Sequence, residues 1–148
     1  MTGPKHLILR RLGTLTRTIH AIVESKFREK GLKKGQFLYI SRICENPGIN
    51  QMALSNLLKV DKTTAAKSIK KLIEQELVTK VRDANDGRSY LLYPTDTCNE
   101  IYKAIIEEEN RQIDICFDGF ETEEKDLIFT LLSKMTDNIE DDWAMLKK

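Results

Sequence analysis

The hydrophobic pattern switches from helical to strand-like once along the 148 residues, just after Glu76, and that switch narrows the folds open to the chain more than any other feature. Asp61 is positioned to cap a helix running from Lys62 to about Glu76, with Ala65, Ile69, Leu72 and Ile73 on its apolar stripe. Val78–Arg82 and Ser89–Tyr93 then read as two short strands around Asp83-Ala84-Asn85-Asp86-Gly87-Arg88. Asp-Gly inside that connection is a hairpin signal, because Gly adopts positive φ without steric cost, and Pro94 is expected to end the second strand. Ahead of the Lys62 helix, Ile49-Asn50-Gln51-Met52-Ala53-Leu54 opens a short helix. Asn50 is its cap, and Ile49 and Leu54 form the hydrophobic staple. Short helix, tight turn, longer helix and two-stranded hairpin together describe a helix-turn-helix followed by a wing. Leu54, Leu58, Val60, Ala65, Ile69 and Leu72 supply the inner faces, and Ser55 provides a small side chain where the helices cross.

The residues left on the outside of the second helix are Lys62, Thr63, Thr64, Ala66, Lys67, Lys70 and Lys71. Small side chains near its N-terminus allow close approach to a major groove. Hydroxyls and a lysine suit base edges, and lysines suit phosphates. Four lysines within ten residues repel one another unless a polyanion neutralises them. Arg82, Asn85 and Arg88 in the hairpin suit a neighbouring minor groove or backbone.

The flanks read as helices. Residues 6–28 carry Ile8, Leu12, Leu15, Ile19, Ile22 and Val23 at helical spacing, ending near Gly31, and residues 35–45 form a second helix before Asn46-Pro47-Gly48 breaks the chain. Thr97-Cys98-Asn99-Glu100 fits a capping box opening a helix to about Phe117, with Gly119 breaking it. The last helix starts near Thr122 and carries Leu127, Ile128, Leu131, Leu132, Met135, Ile139, Trp143 and Leu146. These terminal stripes are larger than the central segment can cover, so a second copy of the chain is the economical partner at ~25 cal/mol per Å² of apolar area buried, with completion of a monomeric core as the alternative.

Charge separates along the same division. Residues 1–94 hold 18 basic and 8 acidic side chains, a net of +10, whereas residues 95–148 hold 6 and 15, a net of −9. The overall +1 therefore conceals a basic half suited to a polyanion and an acidic half that nucleic acid would repel.

Asp61-Lys62-Thr63-Thr64-Ala65-Ala66-Lys67, followed by Asp83, Asp86-Gly87-Arg88-Ser89 and Leu92-Tyr93-Pro94-Thr95, resembles the recognition helix and wing of the MarR (multiple antibiotic resistance regulator) winged-helix regulators. The helix order on both sides resembles that family too, so the likeness spans nearly the whole chain. It implies a mainly α fold with a small β-hairpin wing, a winged helix-turn-helix over residues 34–94, and dimerisation helices over 1–33 and 95–148 that intertwine in a homodimer. It also implies a repressor that binds double-stranded DNA at a palindromic operator and is released by a small phenolic or amphipathic effector. By resemblance Thr63, Thr64 and Lys67 would read bases, Arg88 would be the wing-tip contact and Asp86 would orient the tip; Lys62, Lys71 and Arg82 join the DNA-binding set on their charge and position alone. Two positions depart from the family pattern: Lys59 and Glu76 stand where Gly is frequent, so each is expected to enter the left-handed region at a small cost.

His20 and Tyr39 are ligand-pocket candidates near the join of the helices, although a packed His and a half-buried Tyr are the simpler reading. Glu107-Glu108-Glu109 reads as a solvated helix face rather than a cation site. Three scattered cysteines, Cys44, Cys98 and Cys116, form neither a disulfide framework nor a metal knuckle, and suit the cytoplasm. Cys44 reads as core. Cys98, in a first helical turn, has the dipole environment of a reactive thiol. A thiol-redox-responsive regulator of the same fold, and a winged-helix protein-interaction module meeting an acidic partner, are the alternatives. Two histidines, no Gly-rich phosphate loop and no nucleophile elbow argue against an enzyme, a metal site or a cofactor. The N-terminal residues lack a signal-peptide stretch and no apolar run is long enough to cross a membrane, so neither export nor a membrane partner is expected.

Overall fold

The computed structural model describes residues 2–146. Its elements in chain order are α1 (Ile8–Arg28), α2 (Gln36–Glu45), β1 (Ile49–Asn50), α3 (Gln51–Leu58), α4 (Lys62–Glu74), β2 (Val78–Arg82), β3 (Tyr90–Pro94), α5 (Asp96–Cys116) and α6 (Thr122–Leu146). The core lies where α2, α3, α4 and the sheet meet: Ile40, Ile43, Leu54, Leu72 and Val78 are fully buried. Val23 and Phe27 bring the end of α1 into this core, and Cys98 and Ile105 bring the start of α5. Among the described residues no helix is long and apolar enough to cross a membrane.

The wing has one strand more than expected. The antiparallel sheet runs β1-β3-β2, with Ile49 opposite Leu92 and Asn50 opposite Leu91. Asn50 serves both the strand and the helix that follows. Its extended backbone (φ −90°, ψ 167°) is the conformation a ladder needs and also the one an N-cap needs, and its Oδ1 accepts from the Ala53 amide at 2.8 Å. Helical spacing in the sequence hides a two-residue strand of this kind. Pro94 sits at the last ladder position, opposite Val78, rather than beyond the strand. Its missing N–H is made good next door, where the Thr95 amide donates to the Leu77 carbonyl at 3.0 Å.

The start of α5 also differs from expectation. Thr95, not Thr97, is the cap: its Oγ1 accepts from the Cys98 amide at 3.2 Å and donates to the Glu76 and Leu77 carbonyls. Thr95 wins because those carbonyls, left at the end of the α4 turn, hold its hydroxyl in place. The helix therefore begins one residue ahead of Thr97, and Cys98 turns into the core.

Glu108 corrects the solvated reading of Glu107-Glu108-Glu109. Glu107 and Glu109 are exposed, but Glu108 faces α1 and is only 6% exposed. Its carboxylate accepts from Lys26 Nζ on α1 at 2.5 Å and from Arg111 Nε and Nη2 at 2.9 and 2.7 Å. The Arg111 guanidinium, aided by Lys26, holds this carboxyl down at about 2 against the burial that would raise it. One turn on, Gln112 Nε2 donates to the Ile19 carbonyl at 3.4 Å. The α1–α5 seam is thus tied by charge as well as packing.

In α6 none of the residues is buried, and Phe129, Ile139 and Leu127 are 74%, 62% and 56% exposed. A 25-residue amphipathic helix that leaves most of its apolar side exposed is a surface suited to a partner.

The seam at Glu108 predicts an acid-sensitive contribution to stability. A carboxyl whose value falls from 4.5 to about 2 on folding stabilises the fold fully above its unfolded value and loses that contribution as pH falls from 4.5 toward 2. Glu108→Gln should lower stability at neutral pH by about 1–2 kcal/mol, since Lys26 and Arg111 remain half-exposed to water, and should flatten the loss across that window. Denaturant titrations of both proteins at several pH values measure this.

Candidate nucleic-acid interface

The direction α4 faces follows from what it buries. Ala65, Ile69 and Leu72 are inside, against a core that includes Leu54 and Ser55 of α3, and Lys62, Thr63, Thr64, Ala66, Lys67, Lys70 and Lys71 are all exposed on its remaining surface. Ser55 is fully buried, so a larger side chain there would separate the two helices. Among the described residues none of Lys62, Lys67, Lys70 and Lys71 makes an ion pair. Their charge is carried to solvent uncompensated.

Asp61 caps α4 as expected, its Oδ1 accepting from the Thr64 amide at 2.8 Å and its Oδ2 from Thr64 Oγ1 at 3.0 Å. The Thr64 amide and hydroxyl hold the Asp61 carboxyl below its usual range, so it is ionised at neutral pH. This second bond commits the Thr64 hydroxyl proton to the cap and leaves its methyl and an oxygen lone pair facing outward. Thr63 points to solvent without such a tether.

Each helix of the helix-turn-helix is followed by a left-handed residue. Lys59 has φ 58° and Glu76 has φ 60°, at the two positions where glycine was missing from the sequence pattern. Each closes its helix with the same geometry: the Val60 amide donates to the Ser55 carbonyl at 3.0 Å, and the Leu77 amide to the Leu72 carbonyl at 2.9 Å. The second closure drops Leu77 beside Leu72 in the core, which offsets the strain at Glu76. Lys59 has further contacts, its Nζ lying 2.7 Å from Glu140 Oε1 and 5.8 Å from the Trp143 ring centroid on α6.

In the wing, Asp83 Oδ1 accepts from the Asn85 amide at 2.9 Å and Asp86 Oδ1 from the Arg88 amide at 3.1 Å, shaping a tip from which the Arg88 side chain projects. Arg82 does not project with it. Its guanidinium folds back over the hairpin, donating to the Gly87 carbonyl at 3.1 Å and the Tyr90 hydroxyl at 3.3 Å, so it braces the tip. Lys80, passed over in the sequence, stacks its ammonium 4.7 Å from the Tyr90 ring. A groove of about 910 Å³ separates α4 from the wing, with Lys62, Ala66 and Lys70 on one wall and Lys80, Arg88 and Tyr90 on the other. Lys80 shares its strand face with buried Val78, but β2 runs out of the core after Val78, and the tertiary fold sets Lys80 across from α4.

His20 and Tyr39 lie elsewhere. His20 packs edge-on against Phe37 at 5.2 Å, and Tyr39 is buried rather than half-buried, because α2 turns its ring into the core. Neither lines the groove.

Residues 30–89, the span from just after α1 to the wing tip before β3, match the model of the MarR family. The chain is 39% identical over 141 residues to the uncharacterized HTH-type transcriptional regulator YybA of Bacillus subtilis (strain 168), covering 95% of this chain and 94% of that one. The chain belongs to the MarR family. The MarR protein of Peptoclostridium difficile DA00132 has the same fold at a TM-score of 0.93 and 50% identity, covering 99% of this chain and 96% of that one. A MarR-family transcriptional regulator of Listeria monocytogenes, solved as a complex with 26mer DNA, matches at a TM-score of 0.91 and 37% identity, covering 99% and 95%. YybA and the Listeria protein are regulators of transcription by name, and the chain is a MarR-family transcriptional regulator with a winged-helix fold.

The left-handed turns predict an asymmetry. Glu76→Gly should raise stability by about 0.5–1 kcal/mol, the strain relieved less the added freedom of the unfolded chain. Lys59→Gly should gain less, because it also removes the contacts to Glu140 and Trp143. Thermal melts of the two variants side by side test the order.

Proposed function

We propose that this MarR-family protein is a homodimeric repressor that binds duplex DNA at a palindromic operator through α4 and the wing and is released by a small phenolic or amphipathic effector. The observation that carries the DNA reading is the outer face of α4: four exposed lysines without ion pairs, flanked by two threonines and set across a groove from Lys80 and Arg88. The Listeria relative's complex with DNA supports the same reading.

Thr63 and Lys67 address base edges. Thr64 contributes its methyl group, since its proton is held by Asp61. Lys62 and Lys71 neutralise phosphates, Arg88 reaches the neighbouring minor groove, Asp86 orients the tip, and Arg82 acts by bracing the wing.

Residues 1–33 and 95–148 form the dimer, which the unburied α6 supports. A two-fold dimer presents two recognition helices, and reading successive major grooves on one face requires them about 34 Å apart, which makes the operator an inverted repeat. The acidic terminal half then lies away from the phosphates. His20 and Tyr39 are retained as effector-responsive candidates through their packing around α2, not as groove residues.

Selection of bound sequences from random duplexes should recover an inverted repeat; recovery of no enriched sequence would sink the reading. On the recovered duplex, Lys67→Ala and Arg88→Ala should each weaken binding by about 1–3 kcal/mol in a gel-shift titration while the dimer stays intact by sedimentation. Lys71→Ala should reduce the slope of log K against log salt by about one unit.

A further inference from the structure

Two cysteines far apart in sequence meet between the DNA-binding region and the terminal helices. Cys44, in the last turn of α2, and Cys98, in the first turn of α5, place their Sγ atoms 3.7 Å apart, and either can donate to the other. Cys98 is fully buried, whereas Cys44 is partly open to solvent. The elements that carry them are held together nearby. Glu45, the next residue to Cys44, accepts from the Tyr102 hydroxyl on α5 at 2.8 Å, and the Cys98 amide is fixed by the Thr95 cap. A disulfide needs the sulfurs at about 2 Å, so bond formation requires side-chain rotation and an approach of the two helix ends.

We propose that Cys44 and Cys98 form a reversible intrachain disulfide on oxidation by hydrogen peroxide or an organic hydroperoxide, and that this bond lowers the affinity of the dimer for its operator. The second clause rests on the DNA-binding reading given above; the first does not.

Hydrogen bonding between the two sulfurs and burial hold the Cys44 thiol above its ordinary value, while the bond it donates favours the thiolate of Cys98. The first proton therefore leaves Cys98, and the Cys44 proton passes to the Cys98 sulfur across the 3.7 Å contact as Cys44 becomes the attacking thiolate. Cys44 is the member that a peroxide can reach. Its sulfur attacks the O–O bond, forming a sulfenic acid and, with one proton, releasing water from hydrogen peroxide or an alcohol from a hydroperoxide. The Cys98 sulfur then attacks the Cys44 sulfur, the S–S bond forms, and the sulfenic hydroxyl leaves as water with the Cys98 proton. Two electrons pass from the sulfurs to the peroxide, and a dithiol reductant returns them.

The consequence for DNA follows from position. β3 leads through Thr95 directly into α5, so α5 is the member that joins the wing to the terminal helices. A covalent bond there fixes the end of α2 against the first turn of α5. That changes the angle at which each winged helix is presented, and with it the spacing of the two α4 helices that a single duplex must accept.

The full-length dimer in a Cys116→Ser background, which removes the exposed third thiol, is treated with hydrogen peroxide and read two ways. Intact mass should fall by about 2 Da per chain, with a linked Cys44–Cys98 peptide that dithiothreitol cleaves. Affinity for the duplex recovered from the random pool should fall at least about tenfold and return on reduction. In Cys44→Ser and in Cys98→Ala, which fills the buried site without a polar atom, affinity should change by less than about twofold under the same treatment. A gain of about 16 or 32 Da without a linked peptide, or linkage only in denaturant, would overturn the pair. A linked peptide with unchanged affinity would overturn the switch while leaving DNA binding intact. Reduced protein that binds no duplex at all would count against the functional reading instead, and the mass would still decide the disulfide.

Discussion

The burial of Ala65, Ile69 and Leu72 is the constraint on which the rest of the molecule turns. These three positions fasten α4 into a core that reaches from α1 to the sheet. Because a helix is rigid, fixing one side determines the other. Every lysine and threonine of α4 is exposed because its neighbours at helical spacing are not. Ala65 and Ser55 are completely buried and small, which lets α3 and α4 approach closely enough for the turn between them to close. The basic face is thus a product of apolar packing. Electrostatics alone would favour dispersing four lysines, and the core overrides it.

Around that centre the chain spends local strain to obtain direction. The left-handed residues Lys59 and Glu76 bracket α4, and each ends a helix at the point where the next apolar residue must enter the core. Glu76 delivers Leu77 into packing and offers its carbonyl to Thr95, so one strained residue joins the end of α4, the first wing strand and the cap of α5. Lys59 reaches α6 through Glu140 and Trp143, linking the helix-turn-helix to the C-terminal helix. Both contacts tie the region that would read DNA to the region that would pair two chains.

The terminal helices serve a different end. α1 is fastened to α5 by the buried Glu108 carboxylate, a specific and costly device that has value only if the relative placement of those helices matters. α6 has no equivalent within the chain, and most of its apolar side is left in water. One half of the molecule satisfies itself, and the other is complementary to something outside.

Much of this was legible in the residues. Period and capping chemistry are local: Asn50 and Asp61 accept from amides three residues away and the Asp-Gly turn sits within its own hairpin, whereas the strained turns at Lys59 and Glu76 were legible only against the family's glycine pattern. The helix-turn-helix, the wing and the basic outer face of α4 could therefore be read from spacing. What spacing could not convey depends on residues far apart in the chain. β1 is a strand only because β3 lies beside it, and Thr95 caps α5 only because the Glu76 and Leu77 carbonyls are there to hold it. Glu108 is buried only because Lys26 comes from another helix to neutralise it. Cys44 meets Cys98, which lies 54 residues further along the chain. The sequence by itself determined where helices begin, end and turn their charge, since neighbours within one turn set those terms. Only the tertiary structure decided which distant groups share a buried space, since that depends on how the helices pack and no local signal encodes it.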